Sequence, residues 1–128
     1  MKKFPLLIGL ITIVVIVGGI FLFSKSNNSS SNSTPPPLPT SYEYFWGDGC
    51  PHCTNVEEFF KTWEGRDKVS IDKKEVFNNP TNNKLFKARG AYCNIKQNEM
   101  GVPLLFTPEG KCITGDVTII EFFKNLKY

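Results

Sequence analysis

The chain has 128 residues, of which 41% are hydrophobic and 21% are charged, with a formal net charge of +3 at pH 7. From residue 41 onward, 12 Lys and Arg balance 12 Asp and Glu, so the basic surplus lies in Lys2, Lys3 and Lys25. Because a nucleic-acid-binding domain carries its basic excess in the folded part of the chain, this distribution excludes nucleic acid as a partner.

The first predicted element is an apolar segment, residues 4–23, which contains no charged side chain. A helix of this length spans about 30 Å, the thickness of the hydrocarbon core of a bilayer. We predict a membrane anchor; a cleaved signal peptide is the alternative, although its apolar region is usually shorter. Since Lys2 and Lys3 precede the segment, residues 1–3 should be cytoplasmic and the following domain extracytoplasmic.

A polar linker follows the apolar segment. Residues 24–41 consist almost entirely of Ser, Asn, Pro and Thr, and such a sequence cannot bury enough apolar surface to fold. We therefore predict a flexible tether that ends in the stiffer segment PPPLP. One domain, residues 42–128, comes after it.

The first half of this domain alternates strand and helix patterns. The aromatic residues 42–46 favour a strand. Pro51 suits the first position of a helix that ends near Gly65. Residues 69–77 begin with the alternation of a strand, and Asn79-Pro80 predicts the start of a second helix over residues 80–93. The apolar face of the first helix consists of Val56, Phe59, Phe60 and Trp63.

The second half of the domain begins with two short strands, 102–106 and 111–115, which flank the turn TPEG. Asp116 is predicted to cap a last helix. The order β-α-β-α-β-β-α predicts an α/β fold with a four-stranded mixed sheet and helices on both faces. The inward side chains of the last helix are predicted to be Val117, Ile119, Ile120, Phe123 and Leu126.

The motif Cys50-Pro51-His52-Cys53 lies where the first strand leads into the first helix. A C-x-x-C pair in this context favours redox chemistry, because free N–H groups at the helix start stabilise the thiolate of Cys50. A metal clip and a purely structural bridge are the alternatives. A closed zinc site usually needs four ligands, often supplied by two C-x-x-C motifs. Cys93 and Cys112 do not form a second C-x-x-C motif.

His52 is the single histidine of the chain. When it is protonated it stabilises the Cys50 thiolate, and stabilising the reduced form makes a disulfide more oxidising. The alternative is an exposed turn residue without a role. Cys93 and Cys112 leave three interpretations open: a structural disulfide, which an extracytoplasmic location permits, two free thiols, or a second redox relay.

Over residues 42–128 the chain resembles the thioredoxin superfamily. The tetrapeptide CPHC is typical of bacterial periplasmic disulfide oxidases, and GVP at 101–103 matches the position of the superfamily's cis-proline loop. The short length is similar to that of glutaredoxins, in which a V-P strand and a later G-x-D segment line the glutathione site. Gly115 and Asp116 match that segment.

The resemblance implies roles for individual residues. Cys50 is the nucleophile and Cys53 the resolving thiol. His52, which follows Pro51, stabilises the reduced form of the pair. The Val102-Pro103 bond is expected to be cis. Substrate contacts are expected from Val102, Pro103, Trp46, Gly115 and Asp116.

One departure from the family concerns the buried acid that often lies on the first strand. Tyr44 stands there instead, so proton transfer at Cys53 is expected to use water, Glu43 or Asp48. The insertion domain of the large periplasmic oxidases has no counterpart here, so their substrate choice is not transferred.

These observations predict a membrane-tethered, extracytoplasmic thiol-disulfide oxidoreductase that promotes disulfide formation or exchange in exported proteins. Its expected partners are cysteine-containing proteins and a membrane redox protein. We expect no metal and no cofactor beyond the redox disulfide, with glutathione as an optional ligand. The alternatives are a reductase of glutaredoxin or thioredoxin type and a non-catalytic module that binds a partner or carries metal.

Overall fold

The computed structural model describes Gly9, Ile13 and residues 34–128. Residues 1–3, the predicted anchor at 4–23 (apart from Gly9 and Ile13) and the first part of the predicted linker therefore lie outside the described residues. Among the residues that are described, no helix is both long and apolar enough to cross a membrane.

Residues 34–128 form a four-stranded mixed sheet and three α-helices, an α/β arrangement. The strand order is β2-β1-β3-β4; β1 runs parallel to β2 and antiparallel to β3, and β4 runs antiparallel to β3. The predicted order of elements is confirmed, and β2, β3 and β4 are shorter than predicted. In chain order the elements are β1 (Tyr42–Trp46), α1 (Pro51–Thr62), a 3-10 helix (Glu64–Asp67), β2 (Ile71–Glu75), α2 (Pro80–Tyr92), β3 (Leu104–Phe106), β4 (Cys112–Thr114) and α3 (Asp116–Asn125).

The two faces of the sheet carry separate hydrophobic clusters, because successive side chains of a strand point to opposite faces. On one face, Tyr44 packs with residues of α1 and α3; on the other, Phe45 packs against α2. The first cluster contains Tyr44, Val56, Phe60, Trp63, Leu105, Ile119 and Phe123. The second contains Phe45, Val76, Phe86, Leu104 and Phe106.

The helix starts follow local chemistry. Pro51 and Pro80 occupy the first positions of α1 and α2, where a missing N–H costs nothing. The Asn79 side chain accepts hydrogen bonds from the backbone N–H groups of Thr81 and Asn82, each at 3.1 Å. The predicted capping of α2 by Asn79 is therefore confirmed.

The start of α3 corrects two predictions. Gly115 (φ 85°) is the capping residue, and Asp116 is the first helical residue. The positive φ angle is a conformation that glycine adopts without steric cost. Val117 is 65% exposed rather than inward. Ile119 and Phe123 define the buried stripe, and a residue two positions before Ile119 lies on nearly the opposite side of a helix.

The loop before β3 contains a cis peptide bond between Val102 and Pro103, as predicted. The Pro103 carbonyl accepts a hydrogen bond from the Gly115 N–H at 3.1 Å. This bond ties the loop to the start of α3.

A buried ion pair connects β1, α2 and the segment before β1. Arg89 is 3% exposed; its Nε donates to Glu43 at 2.8 Å and its Nη2 to the second carboxylate oxygen at 3.3 Å. The two Nη atoms also donate to the carbonyls of Pro36 and Pro37, at 3.0 and 2.9 Å. The last part of the predicted linker thus contacts the domain through Arg89.

Cys93 and Cys112 form a disulfide, with their Cα atoms 6.1 Å apart. It joins the end of α2 to the first residue of β4. The interpretation of Cys93 and Cys112 as two free thiols is therefore wrong. A second redox relay at these two residues stays a prediction.

Replacing both Cys93 and Cys112 by alanine should lower the free energy of unfolding by about 3 kcal/mol, the loop-closure term for a ring of this size. The two residues are 19 positions apart, so the bridge restricts the unfolded chain. Urea unfolding without reductant measures the difference. An unchanged midpoint would show that this bridge does not stabilise the domain.

Candidate redox site

Cys50 and Cys53 form a disulfide at the N-terminal end of α1. Cys50 is the capping residue, and its sulfur accepts a hydrogen bond from the Cys53 N–H at 3.1 Å. Cys50 is half-buried, whereas Cys53 is only 2% exposed. An incoming thiol can therefore reach Cys50 and not Cys53.

The electrostatics of this helix end favour a thiolate at Cys50. Free backbone N–H groups and the helix dipole place partial positive charge there. Residues 51–54 contain no acidic side chain that would offset this charge. A thiol in such a position has a lowered pKa and is a better nucleophile and leaving group.

Asp116 brings α3 against the first turns of α1. Its Oδ2 atom accepts a hydrogen bond from Asn55 Nδ2 at 2.6 Å and lies 3.2 Å from His52 Nδ1. The hydrogen bond from Asn55, followed by that from His52, lowers the pKa of Asp116 to about 2. The carboxylate is therefore ionised at any pH near neutrality.

The cis-proline loop lies beside the disulfide. The Val102 carbonyl oxygen is 3.9 Å from Cys50 Sγ. Val102 and Pro103 also line a groove of about 340 Å³. Contact of the Pro103 ring with the sulfur stays a prediction. The other lining residues are Ile95, Glu99, Gly101, Thr114 and Gly115.

Beneath Cys53, the Tyr44 hydroxyl donates to the Cys53 carbonyl at 3.2 Å. Burial raises the pKa of Tyr44, and the carboxylates of Glu57 and Asp116 raise it further. The hydroxyl therefore stays protonated and serves as a hydrogen-bond donor to the Cys53 carbonyl. Glu57 pairs with Lys73 through Oε2, while its Oε1 is buried with no hydrogen-bond partner among the described residues.

The two acids expected as proton carriers for Cys53 have different surroundings. Glu43 faces α2 and is held by Arg89, whereas Cys53 lies on α1 across the sheet. Glu43 is therefore wrong as a proton carrier. Asp48 is exposed in the loop before Cys50, and its backbone N–H lies 3.4 Å from a Glu75 carboxylate oxygen.

The remaining predicted residues occupy different positions. Pro51 is exposed at the start of α1, and Gly115 lies in the groove. Trp46 is partly buried against the first cluster, and its carbonyl accepts from the Val76 N–H at 2.9 Å. No contact places Trp46 at the disulfide within the described part of the chain.

Sequence reasoning missed Asn55 as part of the site. Its position three residues after His52 puts both side chains on one face of α1, which was the available signal. What they share is the Asp116 carboxylate, which lies 61 residues after Asn55. No local pattern indicates that contact.

Neither a family model nor a curated protein matches this sequence. Within the described residues, no group of three or more His, Cys, Asp or Glu side chains could hold a metal ion. A disulfide with one accessible sulfur at a helix start is suited to thiol-disulfide exchange.

Proposed function

We propose that the protein is a thiol-disulfide oxidoreductase with a thioredoxin-like fold, acting through Cys50 and Cys53. The observation that carries the proposal is the position of this disulfide, with Cys50 accessible at the helix start and Cys53 buried behind it. The mixed sheet and the α1 crossover between the parallel strands β1 and β2 support the same fold.

In the oxidising direction, a substrate thiolate attacks Cys50 Sγ, and the Cys50–Cys53 bond breaks with its electron pair on Cys53. A mixed disulfide now joins Cys50 to the substrate. A second substrate thiolate attacks the substrate sulfur, and Cys50 leaves as a thiolate. Two electrons pass from the substrate dithiol to the cysteine pair; the reverse sequence describes reduction.

The groove beside Val102 is the proposed substrate site. The Val102 carbonyl near Cys50 offers a backbone acceptor to an extended substrate segment, as in strand addition. Glutathione is the alternative ligand. We favour a protein segment, because Asp116, the residue expected to bind glutathione, already accepts hydrogen bonds from Asn55 and His52.

The proposed location rests on the sequence. The uncharged segment 4–23 and the preceding Lys2 and Lys3 support a membrane tether with the domain on the extracytoplasmic side. The proposed substrates are exported proteins that contain cysteine. A membrane redox protein would then reoxidise the Cys50–Cys53 pair after each cycle.

The oxidising direction is favoured because the helix start and a protonated His52 both stabilise the reduced form. The purified full chain in detergent should oxidise a dithiol peptide. Equilibration with glutathione buffers should give a potential nearer to ~−120 mV than to ~−270 mV. Reduction of insulin together with a potential near ~−270 mV would indicate a reductase. No exchange with insulin or with the dithiol peptide would leave only the non-catalytic alternative.

Replacing His52 by alanine should make the reduction potential more negative by about 30–60 mV, because the reduced form loses a tenfold to hundredfold stabilisation. The same glutathione equilibration measures the shift. Thr62→Ala, an exposed position at the far end of α1, is the control and should leave the potential unchanged. An unaltered potential in His52→Ala would make His52 an exposed turn residue without a role.

A further inference from the structure

We propose that Asp116 is a positioning residue that holds the proton of the neutral His52 imidazole on Nδ1. The other nitrogen, Nε2, is thereby presented as the acceptor for the proton of an incoming substrate thiol. This assignment rests on the proposed function. It gives Asp116 a role in the exchange reaction in place of glutathione binding.

The contacts define the tautomer. Asp116 Oδ2 lies 3.2 Å from His52 Nδ1, and an ionised carboxylate only accepts hydrogen bonds. Nδ1 must therefore carry the hydrogen. In a neutral imidazole the second nitrogen is then an acceptor. The His52 side chain is 71% exposed, so Nε2 is open to a substrate.

The carboxylate is held independently of His52. Asn55 donates to the same oxygen at 2.6 Å, and the Asp116 side chain is only 14% exposed. Asp116 is also the first residue of α3, and the capping residue Gly115 donates a backbone hydrogen bond to the Pro103 carbonyl. An acceptor fixed from two sides can orient an exposed ring, in the way that a third group orients the base beside a nucleophile.

The proposed step balances. The substrate S–H bond breaks, its proton moves to His52 Nε2, and the sulfur forms a bond to Cys50 Sγ while the Cys50–Cys53 bond breaks. The imidazolium now lies beside Asp116 and becomes the counter-charge of the Cys50 thiolate released in the second exchange. The second substrate thiol gives its proton to water, and the Cys53 thiolate, which a substrate thiol does not reach, takes up a proton from water. Two electrons and two protons have then left the substrate dithiol.

Nitrogen NMR of the oxidised full chain tests the tautomer directly, since the chain contains a single histidine. With the imidazole neutral, the wild type should show hydrogen on Nδ1. Asp116→Ala should lose this preference. The control Asn55→Ala removes the other bond to the carboxylate and should keep it. Hydrogen on Nε2 in the wild type overturns the proposal, whatever the stability of the variants.

Single-turnover oxidation of a dithiol peptide at neutral pH tests the consequence. His52→Ala and Asp116→Ala should each slow the reaction by about tenfold, and the double variant should be no slower than His52→Ala, because groups that act as a unit are not additive. Glu121→Ala is the matched control, an exposed acid of α3 without an ion pair in residues 34–128; it should react at the wild-type rate.

The outcomes separate the two proposals. If the losses of the single variants multiply in the double variant, or if Asp116→Ala reacts as fast as the wild type, Asp116 does not act through His52. If the wild type oxidises the peptide no faster than Cys50→Ser, the proposed function fails. In that case the NMR result still decides whether Asp116 holds the His52 tautomer.

Discussion

Replacing Cys50 by serine should abolish thiol-disulfide exchange, with a loss of roughly 10³-fold or more in the rate of dithiol oxidation. Serine has nearly the same size but forms no disulfide, so no mixed disulfide with the substrate can form at position 50. Cys50 is the accessible sulfur of the pair, and Cys53 is only 2% exposed. Peptide oxidation followed by mass spectrometry measures the loss.

Cys53→Ser should behave differently. In this variant Cys50 is a free thiol, so the substrate is an oxidised peptide: the Cys50 thiolate attacks the peptide disulfide, one peptide sulfur leaves as a thiolate, and a mixed disulfide forms at Cys50. Because position 53 supplies no thiol to release it, a covalent adduct should accumulate on Cys50. The double variant Cys93→Ala/Cys112→Ala is the control and should keep most of the exchange activity, because these residues form a separate disulfide. Activity that survives in Cys50→Ser but disappears in this control would move the reaction to the second pair.

Replacing Arg89 by methionine should lower the free energy of unfolding by about 3–5 kcal/mol. Methionine has a comparable volume, but it leaves the Glu43 carboxylate, which is 6% exposed, without its guanidinium partner. The carbonyls of Pro36 and Pro37 lose their donors at the same time. Denaturant unfolding followed by tyrosine and tryptophan fluorescence measures the change.

The double variant Glu43→Leu/Arg89→Met should regain much of that stability, because it removes both charges together and leaves an apolar pair in the interior. Lys96→Met is the control at the surface. Its ion pair with Glu99 is 3.6 Å long and both side chains are exposed, so it should change stability by less than about 1 kcal/mol. An equally small effect of Arg89→Met would show that the buried pair is not required.

Local patterns predicted much of the fold. The bounds of β1, the start of α1 at Pro51 and the capping of α2 by Asn79 agree with the structure. These features depend on residues within one or two turns of each other, so a short stretch of sequence contains the information. The cis bond before Pro103 was different, since it was expected only from the resemblance to a family.

The errors have a common origin. Val117 belongs to the same apolar pattern as Ile119, yet it is exposed because α1 and the sheet cover only one stripe of α3. Glu43 was a candidate proton carrier until its position showed that Arg89 holds it on the opposite face of the sheet from Cys53. The pairing of Glu43 with Arg89, 46 residues away, and the exposure of Val117 both depend on how the elements pack.

The sequence by itself determined the candidate redox pair, since the C-x-x-C spacing and the strand-to-helix junction are local properties of residues 42–62. Only the tertiary structure decided the surroundings of that pair. The Asp116 carboxylate reaches His52 and Asn55 because α1 and α3 pack in one hydrophobic cluster on the same face of the sheet. Contacts across such separations depend on how the elements pack, and amino-acid patterns within each element do not specify them.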